Sequence, residues 1–185
     1  MKTKEERLKE AAEHYYNFMK ALGMNPDTNE HECDTPMRVA KSFVNDLCAG
    51  LFNEPPVIKS FPNNNGYDGM VFQGNIELNS LCQHHHLPFV GKAHVAYIPS
   101  TDGKVIGFSK LNRIVEHFAR RGAIQEQLTV AIHNAIQAVA ETENVMVIIH
   151  STHNCVSCRG VKHWGASMVT SEVSGVFADH TRTAK

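Results

Sequence analysis

No apolar run in this sequence approaches the roughly 20 residues that a membrane-crossing helix needs. The opening, MKTKEERLKE, is charged throughout and lacks the apolar core of about 7 to 15 residues that marks a secretory signal, so none is expected. Net charge is also small: 18 Lys and Arg stand against 19 Asp and Glu, leaving -1 at pH 7. A chain so nearly neutral has no bulk attraction for nucleic acid or a membrane surface, and any anion site must be a local cluster. Nor is there an even set of cysteines. The five present (Cys33, Cys48, Cys82, Cys155 and Cys158) are irregularly spaced, which argues against a secreted disulfide framework and for reduced thiols in the cytoplasm. Reduced thiols are free to bind metal. Repeats and low-complexity tracts are absent, and 42% hydrophobic with 20% charged residues describes an ordinary globular chain. Its 185 residues suit one domain with a helical extension.

The patterning predicts a helical arm over residues 1–52, a loop over 53–69 and a catalytic domain over 70–185. Thr3 and Glu6 fit a capping box, and Leu8, Ala11, Ala12, Tyr15, Met19 and Leu22 recur at helical spacing up to Gly23. Thr35 is placed to cap a second helix with Pro36 at its first position and Gly50 at its end. NEPPVIKSFPNNNGYDG, rich in Pro, Asn and Gly, predicts the loop. Alternating runs predict strands at 70–73, 75–81, 91–99, 145–153 and 167–177, with a short one in KVIG. Two helices separate KVIG from the 145–153 strand, the first capped by Ser109 and the second following Gly122. The order ααβββααββ predicts an α+β fold, an antiparallel sheet with a helix pair on one face.

Chemistry concentrates in a few short segments. LCQHHHLP puts one thiol and three imidazoles within five positions, and HNCVSC adds His153, Cys155 and Cys158. Thiolate and neutral imidazole are zinc ligands, and three protein ligands with a fourth position for water make a catalytic site. The spacing leaves open which of Cys82, His84, His85, His86, His153, Cys155 and Cys158 bind, because there are more donors than one zinc needs. In GFSKLNR, Lys110 and Arg113 are expected in the first turn of a helix whose free N–H groups favour anions, and Arg159 is a third cation for the same anion. Glu126 in IQEQ offers a carboxylate that can accept two parallel hydrogen bonds from an amidine-like edge.

The runs DTPMRVAK, LCQHHHLPFVGKAHVAYIP, GKVIGFSKLNRIVEHFARR, QEQLT, HNCVSCRGV and MVTSEVSGVF, in that order and spacing, resemble GTP cyclohydrolase I over roughly residues 35–177. The resemblance implies zinc on Cys82, His85 and Cys155, with His84 and His153 as acid–base groups beside it. It assigns Gln125 and Glu126 to the guanine edge, and Ser109 to the ribose or to the imidazole ring being opened. Lys110, Arg113, Arg159, Arg38 and Lys41 would neutralise the triphosphate, the last two supplied by a neighbouring chain. The implied fold is the tunnelling fold, whose sheets combine into a barrel in a homo-oligomer, commonly a decamer of two pentamers with sites at subunit interfaces. GTP would be hydrolysed to 7,8-dihydroneopterin triphosphate and formate, the first step toward pterins, tetrahydrofolate or a deazaguanine base.

Two positions depart from the family pattern. Gln83 stands where glutamate usually follows the first cysteine, removing a negative charge beside the zinc, and Cys158 creates a CxxC with Cys155. Rival readings are a family member with an altered or partial reaction on a guanine nucleotide, and a non-catalytic zinc and nucleotide-binding module. The nitrile-reducing enzymes of deazaguanine synthesis share the fold but lack this zinc and histidine set.

Overall fold

The structure is a computed structural model that describes residues 2–181. The chain divides into two compact units on either side of Asn53.

In the first unit, α1 (Lys4–Ala21) opens with the expected capping box: Glu6 N donates to Thr3 Oγ1 and Thr3 N donates to the Glu6 carboxylate. Helix α2 (Thr35–Lys41) departs from expectation. Asp34 occupies the capping position without a side-chain bond, and beyond Lys41 the coil widens to π form over Ser42–Leu47 instead of running regularly to Gly50. Pro36, Ala40 and Val44 are buried, whereas Arg38 and Lys41 are exposed.

The second unit holds a four-stranded antiparallel sheet in the order β2-β3-β5-β6. Its strands are β2 (Val71–Leu81), β3 (Pro88–Tyr97), β5 (Val145–His153) and β6 (Met168–Val173). A separate pair joins β1 (Ser60–Pro62) to β4 (Lys104–Ile106), so the stretch expected as a 53–69 loop contains a strand. The two strands expected at 70–73 and 75–81 are one strand, bulged where the register shifts between Gln73 and Ile76. Asn75 takes φ 58 there, a left-handed conformation that asparagine tolerates better than most residues. The run expected to stay extended to 177 leaves the sheet after Val173 and turns into α6 (Val176–Thr181). The expected catalytic domain extends over residues 182–185, which lie outside the described residues.

Helices α3 (Phe108–Ala119) and α4 (Gln125–Ala140) cover one face. Burial alternates along β5, as period-2 geometry requires of a half-covered strand. Val145, Val147 and Ile149 pack with Leu111, Ile114, Val115, Leu128, Ile132 and Ile136 into the core. Tyr97 is fully buried, and its hydroxyl accepts from Ile106 N at 2.8 Å, just ahead of α3. Gly107, not Ser109, is the residue before α3, so Ser109 and Lys110 lie in its first turn and Arg113 in its second. Gly91 has a steric cause: a Cβ there would sit 2.0 Å from His150 O. The α+β class with an antiparallel sheet and a helix pair stands as expected.

Candidate metal centre and nucleotide site

At the far end of the β2–β3 hairpin, the turn Cys82–Leu87 closes through Cys82 N donating to Leu87 O at 2.9 Å and His86 N to Cys82 O at 2.8 Å. His86 has φ 52, which completes the reversal. Cys82 also bridges in parallel to Ala123, with Gln83 N donating to Ala123 O and Ala123 N to Leu81 O. Those bonds tie the histidine-rich turn to the residues just before α4. The start of α4 and the turn are therefore one positioned unit.

At the same end, β5 finishes at His153 and the chain enters the short helix α5 (Asn154–Ser157), which carries Cys155. The Cys82, His85 and Cys155 donor atoms lie within 4.8 Å of one another. Tetrahedral zinc with ligand bonds of ~2.0 to 2.3 Å sets its ligand atoms about 3.6 Å apart, so slight closure of this trio would fit the ion. Two soft thiols and an imidazole are also the right chemistry. Burial and the neighbouring Cys82 push the Cys155 thiol up, while the charge of Arg159 acts in the opposite direction. A cation between the thiols would reverse that preference and hold them as thiolates. Cys155 lies in the donor group, whereas Cys158 is exposed and its thiol donates to Asn154 O at 2.8 Å. All five cysteines are free.

His84 stands beside this trio, its Nδ1 3.9 Å from Cys82 Sγ, against 4.0 Å for the Nδ1 of His85. His153 is held more firmly. Strand register sets it opposite Phe89, which is fully buried, and the two rings stack at 4.6 Å with planes 3° apart. Burial lowers its pKa from the usual histidine value, and the Glu126 carboxylate opposes that shift. Glu126, the second residue of α4, is exposed and makes no hydrogen bond or ion pair among the described residues.

Gln125, the first residue of α4, is held entirely within the chain. It is 1% exposed and its amide is saturated within the chain, so the side chain has no donor or acceptor left for a guanine edge. Its Oε1 accepts from His153 Nε2 at 2.8 Å and from Ser151 Oγ at 2.6 Å. Its Nε2 has three acceptors at 3.1 to 3.2 Å, Ile149 O, Met168 O and Thr170 Oγ1, among which its two hydrogens are shared.

Ser109, Lys110 and Arg113 are not brought to the metal cluster within one chain. Helix α3 runs alongside β2 in the same direction: Gln73 bonds Asn112 near its start and Ser80 Oγ donates to Ala119 O at its end. The cluster adjoins the end of β2, so about 14 Å of helix separates Lys110 from that end of α3. Arg159, by contrast, lies close enough to Cys155 to act on its charge. Arg38 belongs to the first unit and pairs with Asp34 at 3.1 Å.

The family model described as GTP cyclohydrolase I matches residues 11–185. The chain belongs to the GTP cyclohydrolase I family. It is 43% identical over 178 residues to a GTP cyclohydrolase 1 of Flavobacterium johnsoniae, covering 96% of this chain and 78% of that one. A second relative, GTP cyclohydrolase 1 1 of Pseudomonas syringae pv. tomato, is 45% identical over 174 residues, covering 92% of this chain and 90% of its own. A crystal structure of an archaeosine synthase QueF-like protein in the apo form shares 19% identity at a TM-score of 0.47, over 57% of this chain and 93% of that one. The fold is that of the GTP cyclohydrolase I family, and the chain is an enzyme of it. No helix among the described residues is long and apolar enough to cross a membrane.

Residue-type reasoning missed Phe89, Ser151, Thr129 and Thr170, the groups that hold His153 and Gln125 in place. One signal was available: Ser151 and His153 are two apart on a strand and therefore share a face.

Proposed function

We propose that this enzyme hydrolyses GTP to 7,8-dihydroneopterin triphosphate and formate, opening pterin and tetrahydrofolate or deazaguanine synthesis in the cytoplasm. The observation that carries the reading is the gathering of Cys82, His85 and Cys155 at the end of the sheet where His153 is held and α4 presents Glu126. Zinc would be held by Cys82, His85 and Cys155. When bound it supplies Lewis acidity, which brings the pKa of a water toward about 7 and makes hydrolysis at purine C8 feasible at neutral pH.

The chain's own residues divide the remaining work. The Glu126 carboxylate accepts from guanine N1–H and the 2-amino group, orienting the ring. His153 and His84 move protons at the purine: an imidazole can protonate N7 as the N–C8 bond breaks. Phe89 holds one flat face of His153, which limits ring rotation. A second hydrolysis releases C8 as formate, and Ser109 acts at the ribose or the opened ring before the sugar rearranges and closes.

Lys110, Arg113 and Arg159, with Arg38 and Lys41, neutralise the triphosphate. The separation of Lys110 from the metal cluster within one chain supports sites shared between copies. So do the two outer strands, β2 and β6, each of which leaves one edge open to another chain. We assign a homo-oligomer on this basis, a decamer of two pentamers as the family resemblance implies. The test is formate release from GTP by the zinc-loaded protein, with pterin formation followed by absorbance. Tight GTP binding without formate would refute the reading and leave a nucleotide-binding module.

A further inference from the structure

Within the site, one group has bond directions that can be settled by chemistry alone. The Gln125 nitrogen faces Ile149 O and Met168 O, and carbonyl oxygens only accept, so the atom beside them must be the amide NH2. The atom beside His153 is then the amide oxygen, which also only accepts. Ser151 Oγ, 2.6 Å away, donates to that same oxygen. The hydroxyl chain behind is directional as well. Thr129 Oγ1 donates to Gln125 O at 2.8 Å, so Thr170 must supply the hydrogen of the 2.6 Å Thr129–Thr170 bond. Thr170 Oγ1, its hydrogen committed to Thr129, is left as an acceptor that shares the two amide hydrogens of Gln125 with Ile149 O and Met168 O. The amide cannot be flipped without setting its oxygen against two carbonyls in a site that is 1% exposed.

We infer that Gln125 is a positioning residue: its amide oxygen accepts from Nε2–H of His153, which fixes the ring's orientation and leaves Nδ1 as the ring nitrogen that the amide does not engage. The inference rests on the reading of His153 as a residue of the active site and moves Gln125 from the guanine edge to the imidazole. The bond to Gln125 holds one edge of the ring and the stacked Phe89 holds one face, so the imidazole is kept from both turning and flipping. A carboxylate at position 125 would have no hydrogen to offer the Ile149 and Met168 carbonyls.

The experiment uses the zinc-loaded wild-type enzyme with 15N-labelled histidine, read by magic-angle-spinning NMR and assigned by the signals lost in His153→Asn. Neutral His153 should show hydrogen on Nε2 and an unprotonated Nδ1; hydrogen on Nδ1 would overturn the inference whatever any variant does. Gln125→Met, of similar length but without acceptor or donor, should lower kcat by roughly 10- to 100-fold while GTP affinity stays within about twofold. Loss of GTP binding with kcat retained at saturation would return Gln125 to the guanine. If the wild-type enzyme releases no formate from GTP, the proposed function fails; Nδ1–H on His153 in an enzyme that does release it sinks the Gln125 assignment alone.

Discussion

Removing the Glu126 side chain should abolish the enzyme's preference for guanine over hypoxanthine. The carboxylate is exposed at the second position of α4 and is uncommitted among the described residues, so it is available to accept two donors at once. Guanine offers N1–H and a 2-amino group; the hypoxanthine ring of ITP offers only the first. A hydrogen bond to a charged group is worth ~1.5 to 3 kcal/mol. At about 1.4 kcal/mol per power of ten, wild type should bind GTP roughly 10- to 150-fold more tightly than ITP. In Glu126→Ala the ratio should fall to about two or less, because the missing amino group no longer loses a partner. Titration calorimetry on both proteins with both nucleotides measures all four affinities, and zinc content serves as the control, since Glu126 is not a metal donor. A Glu126→Ala protein that keeps the full GTP-to-ITP ratio refutes the guanine contact and makes Glu126 an ordinary acidic residue at a helix N-terminus.

Metal analysis should show zinc lost from Cys82→Ala and Cys155→Ala but kept by Cys158→Ala, whose side chain lies outside the donor cluster; the reverse pattern would refute the ligand set. His117 is buried, its Nε2 has no partner among the described residues, and burial, aided by the Arg121 charge, lowers its pKa. Its neutral form is thus favoured on folding, so its contribution is complete above the unfolded value of about 6.5 and is lost as pH falls from there through the lower folded value. The Tm of wild type relative to His117→Phe should therefore drop below about pH 6.5 and be flat above it. GTP should raise Tm far more than guanosine, by an increment that shrinks with added salt, because the triphosphate relieves repulsion among clustered cations; equal shifts at low salt would remove the phosphate site.

What the sequence displayed depended on how local the cause was. The capping box at Thr3 and the α+β element order were readable because hydrogen-bond geometry and periodicity act over a few residues. The bulge at Asn75 was not, since an interrupted alternation looks the same whether one strand bends or two strands end. The residue before α3 is Gly107 and not Ser109; Ile106 N just ahead of it donates to the Tyr97 hydroxyl of β3, a contact that no capping preference encodes. The donor set divides similarly. Residue types pointed to a metal centre, but spacing could not separate Cys155 from Cys158, three residues apart; in space, α5 sets Cys155 near Cys82 and His85 and leaves Cys158 exposed. Gln125 was legible as a polar residue at a helix start. Its side-chain partners, Ser151, His153 and Thr170, lie on two strands, and the pairing of β5 with β6 brings them together.

That same pairing bears on why the proposed site needs more than one copy of the chain. The sheet end that holds Cys82, Cys155 and His153 is built from β2, β5 and the start of α4, whereas Lys110 belongs to the opposite end of α3. A helix packed on a sheet cannot slide about 14 Å to close that gap without breaking the core made by Leu111, Ile114 and Val115. If both ends serve one nucleotide, they come from different copies, and each copy takes part in two sites. Two inactive variants, His153→Ala and Lys110→Ala, should then complement each other when unfolded together and reassembled. With random mixing, roughly a quarter of the sites inherit an intact residue from each side, so about that fraction of wild-type formate release should return. Neither variant reassembled alone should gain activity. Mixed oligomers, verified by differently tagged chains, that remain as inactive as their parents would show that His153 and Lys110 act from one chain or on different ligands, and the shared-site reading would fail.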